Sequence, residues 1–343
     1  MIRVVKYTNE RQLEWDGFVS QQPSGTLFHT TAWKRIIERA FGYKACYLLA
    51  ENEGCIEGVL PLFTVSNPLT GRTLISSPFA VYGGTCSAND AAQAELVHAA
   101  CELAHEQKVE YLEFRFRQAD DVPGFITKDL YVTFDFDIDP DHDRLFKSLP
   151  KDTRYMIRKG QKAGLTVSNG NDGLDEFFNV YAQSVRNLGT PVFSKKFFRI
   201  ILEELGNDAE IMVVRKDQTA VSAVMSFRFR DWILPYYGGS TLDGRHYAAN
   251  NFMYWELLES ARQRGIRHFD FGRSKKGTGA YEFKSAWNMR ESALPYQFHL
   301  VKRQEMPNFS PANPAFSRAI NLWKRIPFPV TKVIGPALVR LFP

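Results

Sequence analysis

The 343-residue sequence predicts an α/β chain in which one mixed-sheet layer fold is laid down twice in tandem. Three observations carry that expectation. Tyr-Gly-Gly occurs twice, in "PFAVYGGTC" (78–86) and in "ILPYYGGST" (233–241), each time after a short apolar run. With Thr26 placed on Thr190, "TLFHTTAWKRIIERAFGYKACYLLAENEG" runs without gaps against "TPVFSKKFFRIILEELGNDAEIMVVRKDQ". Trp33 then falls on Phe197, Arg35-Ile36-Ile37 on Arg199-Ile200-Ile201, and Gly42 on Gly206. Finally, "AHEQKVEYLEFRF" (104–116) parallels "ARQRGIRHFDFGR" (261–273), a helix end followed by a strand. The period, roughly 155–165 residues, is far too long for a solenoid and marks a duplicated domain.

Each copy reads helix, β-hairpin, Tyr-Gly-Gly strand end, long helix, strand. "YLLAENEG" and "IMVVRKDQ" supply strand, polar turn and the start of a second strand. The long helices are "NDAAQAELVHAACELAHEQ" and "ANNFMYWELLESARQRG", the latter with Phe252, Trp255 and Leu258 on one face. Residues 1–25 read as a strand and an amphipathic helix. The boundaries expected are 1–136 for the first domain, 137–171 for a connecting segment with a basic helix, 172–300 for the second domain and 301–343 for a tail. In the connector, Asp139 or Asp143 is placed to cap a helix around "RLFKSL". In the tail, Pro307, Pro311, Pro314, Pro327, Pro329, Pro336 and Pro343 forbid one continuous helix.

Hydrophobic content of 44% and charged content of 24% are those of an ordinary globular chain. The start, "MIRVVKYTNERQLEW", is charged and has no apolar core, which predicts no signal peptide and a cytoplasmic protein. Cys46, Cys55, Cys86 and Cys101 lie in the first half without CxxC spacing, so buried thiols in a reducing compartment are expected rather than a disulfide or metal site. The net charge of +5 is concentrated in the tail, where Arg318, Lys324, Arg325, Lys332 and Arg340 meet no acid from Met306 to Pro343. Residues 1–305 therefore balance. A tail mixing Phe, Trp, Ile and Leu with Arg and Lys reads either as a peripheral contact with an anionic membrane through 315–343 or as a cover packed on the second domain.

The order hairpin, strand, helix, strand resembles the GNAT acyltransferase fold. "FDFGR" followed by "YEFKSAW" (269–287) resembles the GNAT-related group that includes the Fem-type aminoacyltransferases of peptidoglycan bridges, and "RYMIRKGQKAGLTV" (154–167) resembles that group's basic helix. The combination looks most like the Fem-related proteins of exopolysaccharide and PEP-CTERM/exosortase systems. This resemblance implies two tandem GNAT-like domains and transfer of an acyl or aminoacyl group to an amine of a cell-envelope or exopolysaccharide precursor. The donor would be a co-substrate, aminoacyl-tRNA or acyl-CoA, with no bound cofactor. The acceptor would be a glycan, a nucleotide sugar or a lipid-linked species at the inner face of the membrane. DNA is not an expected partner.

Acyl transfer needs a free amine, a positioned ester or thioester, and donors for the oxyanion. The resemblance assigns substrate stabilisation to Lys284 of "YEFK", beside Tyr281; the alternative is a solvated lysine. Asp270 either accepts the amine's proton or holds a loop, and Arg273 sits just past a strand end, where ligands of open sheets gather. The matching positions of the first copy are Glu113 and Phe116, with no "YEFK" after them, so the second copy is expected to be catalytic. Tyr237, Gly238 and Gly239 are expected to lay out the acyl donor, and Tyr82-Gly83-Gly84 to be a relic or an acceptor groove; tight turns are the alternative for both. CoA-dependent relatives cradle pyrophosphate on a glycine-rich loop opening the long helix. Here that stretch is Arg245-His246-Tyr247-Ala248-Ala249-Asn250, with Arg245 kept and both glycines replaced; Asn250 would alternatively cap the helix. Arg154, Arg158 and Lys162, flanked by Lys151 and Lys159, form a basic stripe suited to phosphates or simply to water. No zinc-ligand cluster, Walker loop or nucleophile motif is present, which fits direct transfer. The rival readings are an acyl-CoA-dependent acetyltransferase and a non-catalytic subunit of a polysaccharide export system.

Overall fold

The computed structural model describes residues 1–117, 122–306 and 314–343, with side chains in the last stretch from 318 onward. The chain divides into two compact units. The first comprises Met1–Tyr131, Ala293–Asn308 and Arg340–Pro343; the second comprises Val132–Ser292 and Phe309–Val339. In order, the first unit contains β1 (Arg3–Lys6), α1 (Gln12–Gln21), α2 (Thr31–Phe41), β2 (Lys44–Ala45), β3 (Leu48–Asn52), β4 (Cys55–Leu60), β5 (Leu62–Asn67), β6 (Gly71–Ser76), β7 (Cys86–Ser87), α3 (Asp90–Glu106), β8 (Tyr111–Arg115) and the start of β9 (Ile126–Asp137). The second continues with α4 (His142–Ser148), α5 (Lys151–Lys162), β10 (Leu165–Asn169), α6 (Leu174–Leu188), α7 (Lys195–Leu205), β11 (Ala209–Lys216), β12 (Thr219–Phe229), β13 (Trp232–Ser240), α8 (Leu242–His246), α9 (Ala249–Gln263), β14 (His268–Asp270), β15 (Ser274–Lys275) and α10 (Gly279–Ser285). β16 (Arg290–Leu300) ends in the first unit, and α11 (Pro314–Arg325) and α12 (Phe328–Leu338) belong to the second.

The duplication is visible at the level of single residues. Thr30 and Ser194, 164 positions apart in number, cap α2 and α7 by accepting from Trp33 N and Phe197 N. Gly42 and Gly206 end the same two helices at positive φ, +69° and +53°. Glu53 and Asp217 are both left-handed in the turns that close the two hairpins, at φ 50° and 54°. Three matched pairs with matched backbone roles are what two copies of one fold require and what chance similarity does not supply.

In the first unit, β16, β8, β6, β5 and β2 form one sheet and β1, β3, β4 and β7 a second, with β6 and β8 parallel. α3 packs Leu96 and Ala92 against Gly58 of β4, where an added Cβ would come within 2.8 Å of Leu96. Trp15, Phe28 and Trp33 are fully buried beside it. In the second unit, β10-β11-β12-β13-β14-β9 is covered on both faces. Side chains alternate along β11: Met212 and Val214 join the core under α9, and Ile211 and Val213 face Gly173 at the start of α6.

Several expectations are corrected. The connector 137–171 is not separate: it belongs to the second unit, because Gly160 of α5 packs so tightly on Phe252 of α9 that a Cβ would approach within 2.7 Å. Residues 293–300 leave that domain, since β16 bonds β8 from Tyr296↔Arg115 to Leu300↔Tyr111. The α4 cap is Asp141, which accepts from Arg144 N at 2.8 Å, while Asp139 binds the Arg144 guanidinium. Tyr82-Gly83-Gly84 does not end a strand but lies in the irregular stretch between β6 and β7, and Tyr237-Gly238-Gly239 lies within β13, paired with Met225, Val224 and Ala223. All four cysteines are free thiols, Cys86 buried and Cys55 exposed. In the tail, α11 and α12 are separated at Pro327, and Pro336 is taken into the last turns of α12. Pro307 and Pro311 lie outside the described residues.

The glycines of β13 are fixed by packing. A Cβ on Gly239 would sit 2.4 Å from Ser184 Cβ of α6, the root of a helical side chain that cannot swing away. Gly239→Ala is expected to lower the unfolding free energy by about 1–3 kcal/mol. Gly17→Ala, within α1 with nothing inside 4 Å, is expected to raise it by about 0.5–1 kcal/mol. Urea midpoints of the two variants check both signs.

Candidate active site

β13 and β14 pair in parallel at Trp232↔His268 and Ile233↔Phe269 and then part. β14 ends at Asp270, whereas β13 runs on to Ser240 beside β12. Its last seven residues thus have β12 on one side and no β14 partner on the other. Pro235 sits just past the fork, and Met225↔Tyr237 next to Ser226↔Pro235 leaves Tyr236 with no opposite residue, a β-bulge. A bulge turns a backbone N–H out of the ladder, the geometry from which an oxyanion donor is made. The sequence signal for it was the proline inside a strand, which sequence reasoning did not use.

The other arm of the fork is held by Asp270. Only 1% exposed, it accepts from Thr133 Oγ1 at 2.9 Å and from Gly272 N at 2.8 Å, while Phe271 N donates to Phe134 O at 2.8 Å. Gly272, at φ +71°, turns the chain sharply enough that three successive carbonyls converge. Onto them comes the ammonium of Lys284 from the last turn of α10. Its Nζ donates to Phe271 O at 2.6 Å, Gly272 O at 2.9 Å and Arg273 O at 3.2 Å, and lies over the Phe271 ring. Phe271, Tyr254, Phe283 and Trp287 close around this point, with Phe271 and Trp287 in edge contact at 5.6 Å. Burial pushes the Lys284 amine down to about 7; Asp270 draws it up and Arg273 pushes it further down.

Lys284, Asp270 and Arg273 are therefore brought together, but not in the same capacity. The solvated-lysine alternative for Lys284 is removed by its three carbonyl partners. Asp270 is a buried turn holder with its Oδ1 already engaged, so the second of its two expected readings fits. Arg273 is exposed, and its charge reaches both Lys284 and the hydroxyl of Tyr237, whose own pKa burial raises well above the usual range. Tyr237 sits in an aromatic nest with Tyr181, Phe193 and Phe198, and its buried hydroxyl has no hydrogen-bond partner among the described residues. Ser274 Oγ, just past Arg273, is in the same condition. Gly238 and Gly239 serve the packing of β13 on β12 and α6. Tyr281 donates to Glu291 at 2.9 Å.

Asn250 does not cap α9. The cap is Ala248 in the left-handed conformation at φ +57°, and Asn250 Oδ1 turns in towards Ser222 Oγ, 2.9 Å away. Arg245 is exposed at the end of α8. α5 spans the ground between the two ends of the site: Thr153 donates to Ala286 O just after α10, and Gly160 abuts Phe252 in the first turn of α9. Of its stripe, Arg158 and Lys162 are exposed and Arg154 half-buried; Arg158 also covers the Phe146 ring at 5.1 Å.

The first unit has its own cavity at the first Tyr-Gly-Gly, about 360 Å³, lined among others by Ser24, His29, Tyr82, Gly83, Thr85 and Arg117. Thr85 Oγ1 is buried there with no partner among the described residues. Glu113 is buried in an ion pair with Arg115, Nε to Oε1 2.8 Å, and Phe116 lines the cavity. Among the described residues no group of three His, Cys, Asp or Glu is placed to hold a metal ion.

Residues 147–285 match the family model of the acetyltransferase (GNAT) domain. No curated protein matches the sequence. Among solved structures, FemX superposes with a TM-score of 0.70 at 18% identity, over 88% of this chain and 98% of its own. The C-terminal domain assigned to a lysylphosphatidylglycerol synthetase of Agrobacterium fabrum gives 0.57 at 13% identity, over 92% and 95% of the two chains. A tandem GNAT protein from the clavulanic acid biosynthesis pathway gives 0.57 at 11% identity, over 89% and 100%.

Because Lys284 has a folded-state pKa below its unfolded value of 10.5, the native state binds fewer protons than the unfolded chain between about pH 7 and 10.5. Its contribution to stability therefore improves as pH rises through that window and is least favourable below it. Lys284→Met is expected to flatten the wild-type rise between pH 7 and 9, read as the difference of the two urea-midpoint profiles. The family match identifies residues 147–285 as a GNAT-type acyltransferase domain, and the shared fold sets it within a duplicated GNAT-like architecture.

Proposed function

We propose that the second unit transfers an aminoacyl group from aminoacyl-tRNA to an amine of a cell-envelope or exopolysaccharide precursor. The observation that carries this reading is Lys284, a half-buried ammonium held on strand-end carbonyls at the fork of β13 and β14. The amine nitrogen attacks the ester carbonyl carbon at the fork. A carbon–nitrogen bond forms, the carbon–oxygen bond to the ribose breaks, and the proton leaving nitrogen goes to the departing oxygen. Charge builds on the carbonyl oxygen in between. The backbone at the Tyr236 bulge is assigned as a donor to it, and Lys284 meets the developing charge by exchanging its longest contact, Arg273 O at 3.2 Å, for a substrate oxygen.

Three features favour a tRNA donor. The opening of α9 lacks the glycines on which a pyrophosphate lies closest, Asn250 is turned inward, and α5 offers Arg158 and Lys162 along the same edge. FemX and a lysylphosphatidylglycerol synthetase share the fold, and the second name describes attachment of an amino acid to a membrane component.

One observation favours an acyl-CoA donor instead. Ala248 keeps the left-handed backbone that glycine adopts most easily, so the loop geometry survives the loss of its glycine. Purified protein incubated with labelled aminoacyl-tRNA, and separately with acyl-CoA, against nucleotide sugars and lipid-linked glycans decides between them. Transfer from tRNA is expected, falling about 10²–10³-fold in Lys284→Met and strongly in Arg158→Glu. Transfer from acyl-CoA alone would make the second reading the correct one, and no transfer by a folded protein from either donor would leave the binding-subunit role.

A further inference from the structure

We propose that the outer face of the α11–α12 pair docks on an anionic lipid surface. The inner face of the pair is committed to the second unit. Trp323 and Thr331 are buried, Ile320 lies against Gly189 at the end of α6, and a Cβ on Gly335 would strike Val192 at 2.9 Å. The turn between the helices is pinned by Arg186, whose Nε and Nη2 donate to Ile326 O at 3.0 and 2.8 Å. The face left outside is therefore preformed.

That face is apolar and basic at once. Leu322, Val330 and Val333 are 65%, 43% and 77% exposed, and Leu188, next to Gly189, is 61% exposed. Among them stand Arg318, Lys324 and Arg325, exposed and without an ion pair among the described residues. No acid occurs from Met306 to Pro343 to neutralise them. Exposed aliphatic side chains interleaved with unpaired cations fit lipid, in which the Leu and Val enter the acyl boundary while Arg and Lys meet headgroup phosphates. Nucleic acid would use the cations but leave the aliphatics in water, and the large aromatic Trp323 that could stack on a base is turned inward. Among the described residues no helix is long and apolar enough to cross a membrane, so the contact lies in the surface plane. It does not depend on which acyl donor the second unit uses.

The test is co-sedimentation of the full chain with sucrose-loaded vesicles, either phosphatidylcholine alone or phosphatidylcholine mixed with phosphatidylglycerol. Pelleting with the mixed vesicles only, and release by high salt, is expected. Leu322→Glu with Val333→Glu should weaken binding at least tenfold. Arg318→Ser, Lys324→Ser and Arg325→Ser should each weaken it roughly fivefold. All five side chains are exposed, so unchanged thermal unfolding confirms that the variants fold. Undiminished pelleting of the folded variants, no pelleting of the wild type, or a tRNA mobility shift lost in the same variants without vesicle binding would each overturn the proposal.

Discussion

Three consecutive carbonyls, those of Phe271, Gly272 and Arg273, accept from one ammonium, and the chemistry proposed for the second unit rests on that contact. It would not form on an ordinary strand, whose carbonyls alternate in direction. Asp270 makes it possible by fixing Gly272 N, and Gly272 by turning through a conformation that side-chain-bearing residues resist. Asp270 is in turn held by Thr133, so the lysine's position is set by a short chain of hydrogen bonds reaching back into β9. Removing the ammonium would leave three buried or half-buried carbonyls facing one another, an arrangement that costs desolvation without compensation. Withdrawal from water at the same place pushes the amine down to about 7, with Asp270 drawing it up and Arg273 pushing it further down.

The two copies show which parts of a fold survive divergence. Helix caps, positive-φ helix ends and hairpin turns are kept, as Thr30 with Ser194, Gly42 with Gly206 and Glu53 with Asp217 demonstrate. These are positions where backbone geometry tolerates few residues. What diverged is the region after the hairpin. In the second copy Tyr-Gly-Gly stays in the ladder of β13, whereas in the first it leaves the sheet and lines a polar cavity. One inherited tripeptide has thus been put to two structural uses.

Much of this was legible in the sequence because periodicity and capping are local. The gapless match of 26–54 with 190–218 located both hairpins, and "FDFGR" with "YEFK" pointed to Asp270, Arg273 and Lys284, which the fold sets near one another. Three things were not legible. Side-chain partners depend on tertiary approach, so Asp270 could not be told from a proton acceptor until Thr133 and Gly272 N were seen to occupy it. The Gly-Gly of β13 suggested room for a ligand, but the close neighbour is Ser184 of α6, a residue with no sequence pattern linking it to Gly239. Likewise Asn250 looked like a cap by residue type, and lost that role to Ala248 because the turn was set by backbone conformation. The bulge at Tyr236 was available from Pro235 and was missed.

The measurement that bears most directly on the account is a nuclear magnetic resonance titration of the Lys284 side chain, assigned by its loss in Lys284→Met. An amine withdrawn from water beside Arg273 should titrate at about 7, far from its ordinary value. A midpoint near 10.5, the ordinary value for a lysine in water, would mean that the amine is not withdrawn from water at the fork, and the site built around it would be wrong.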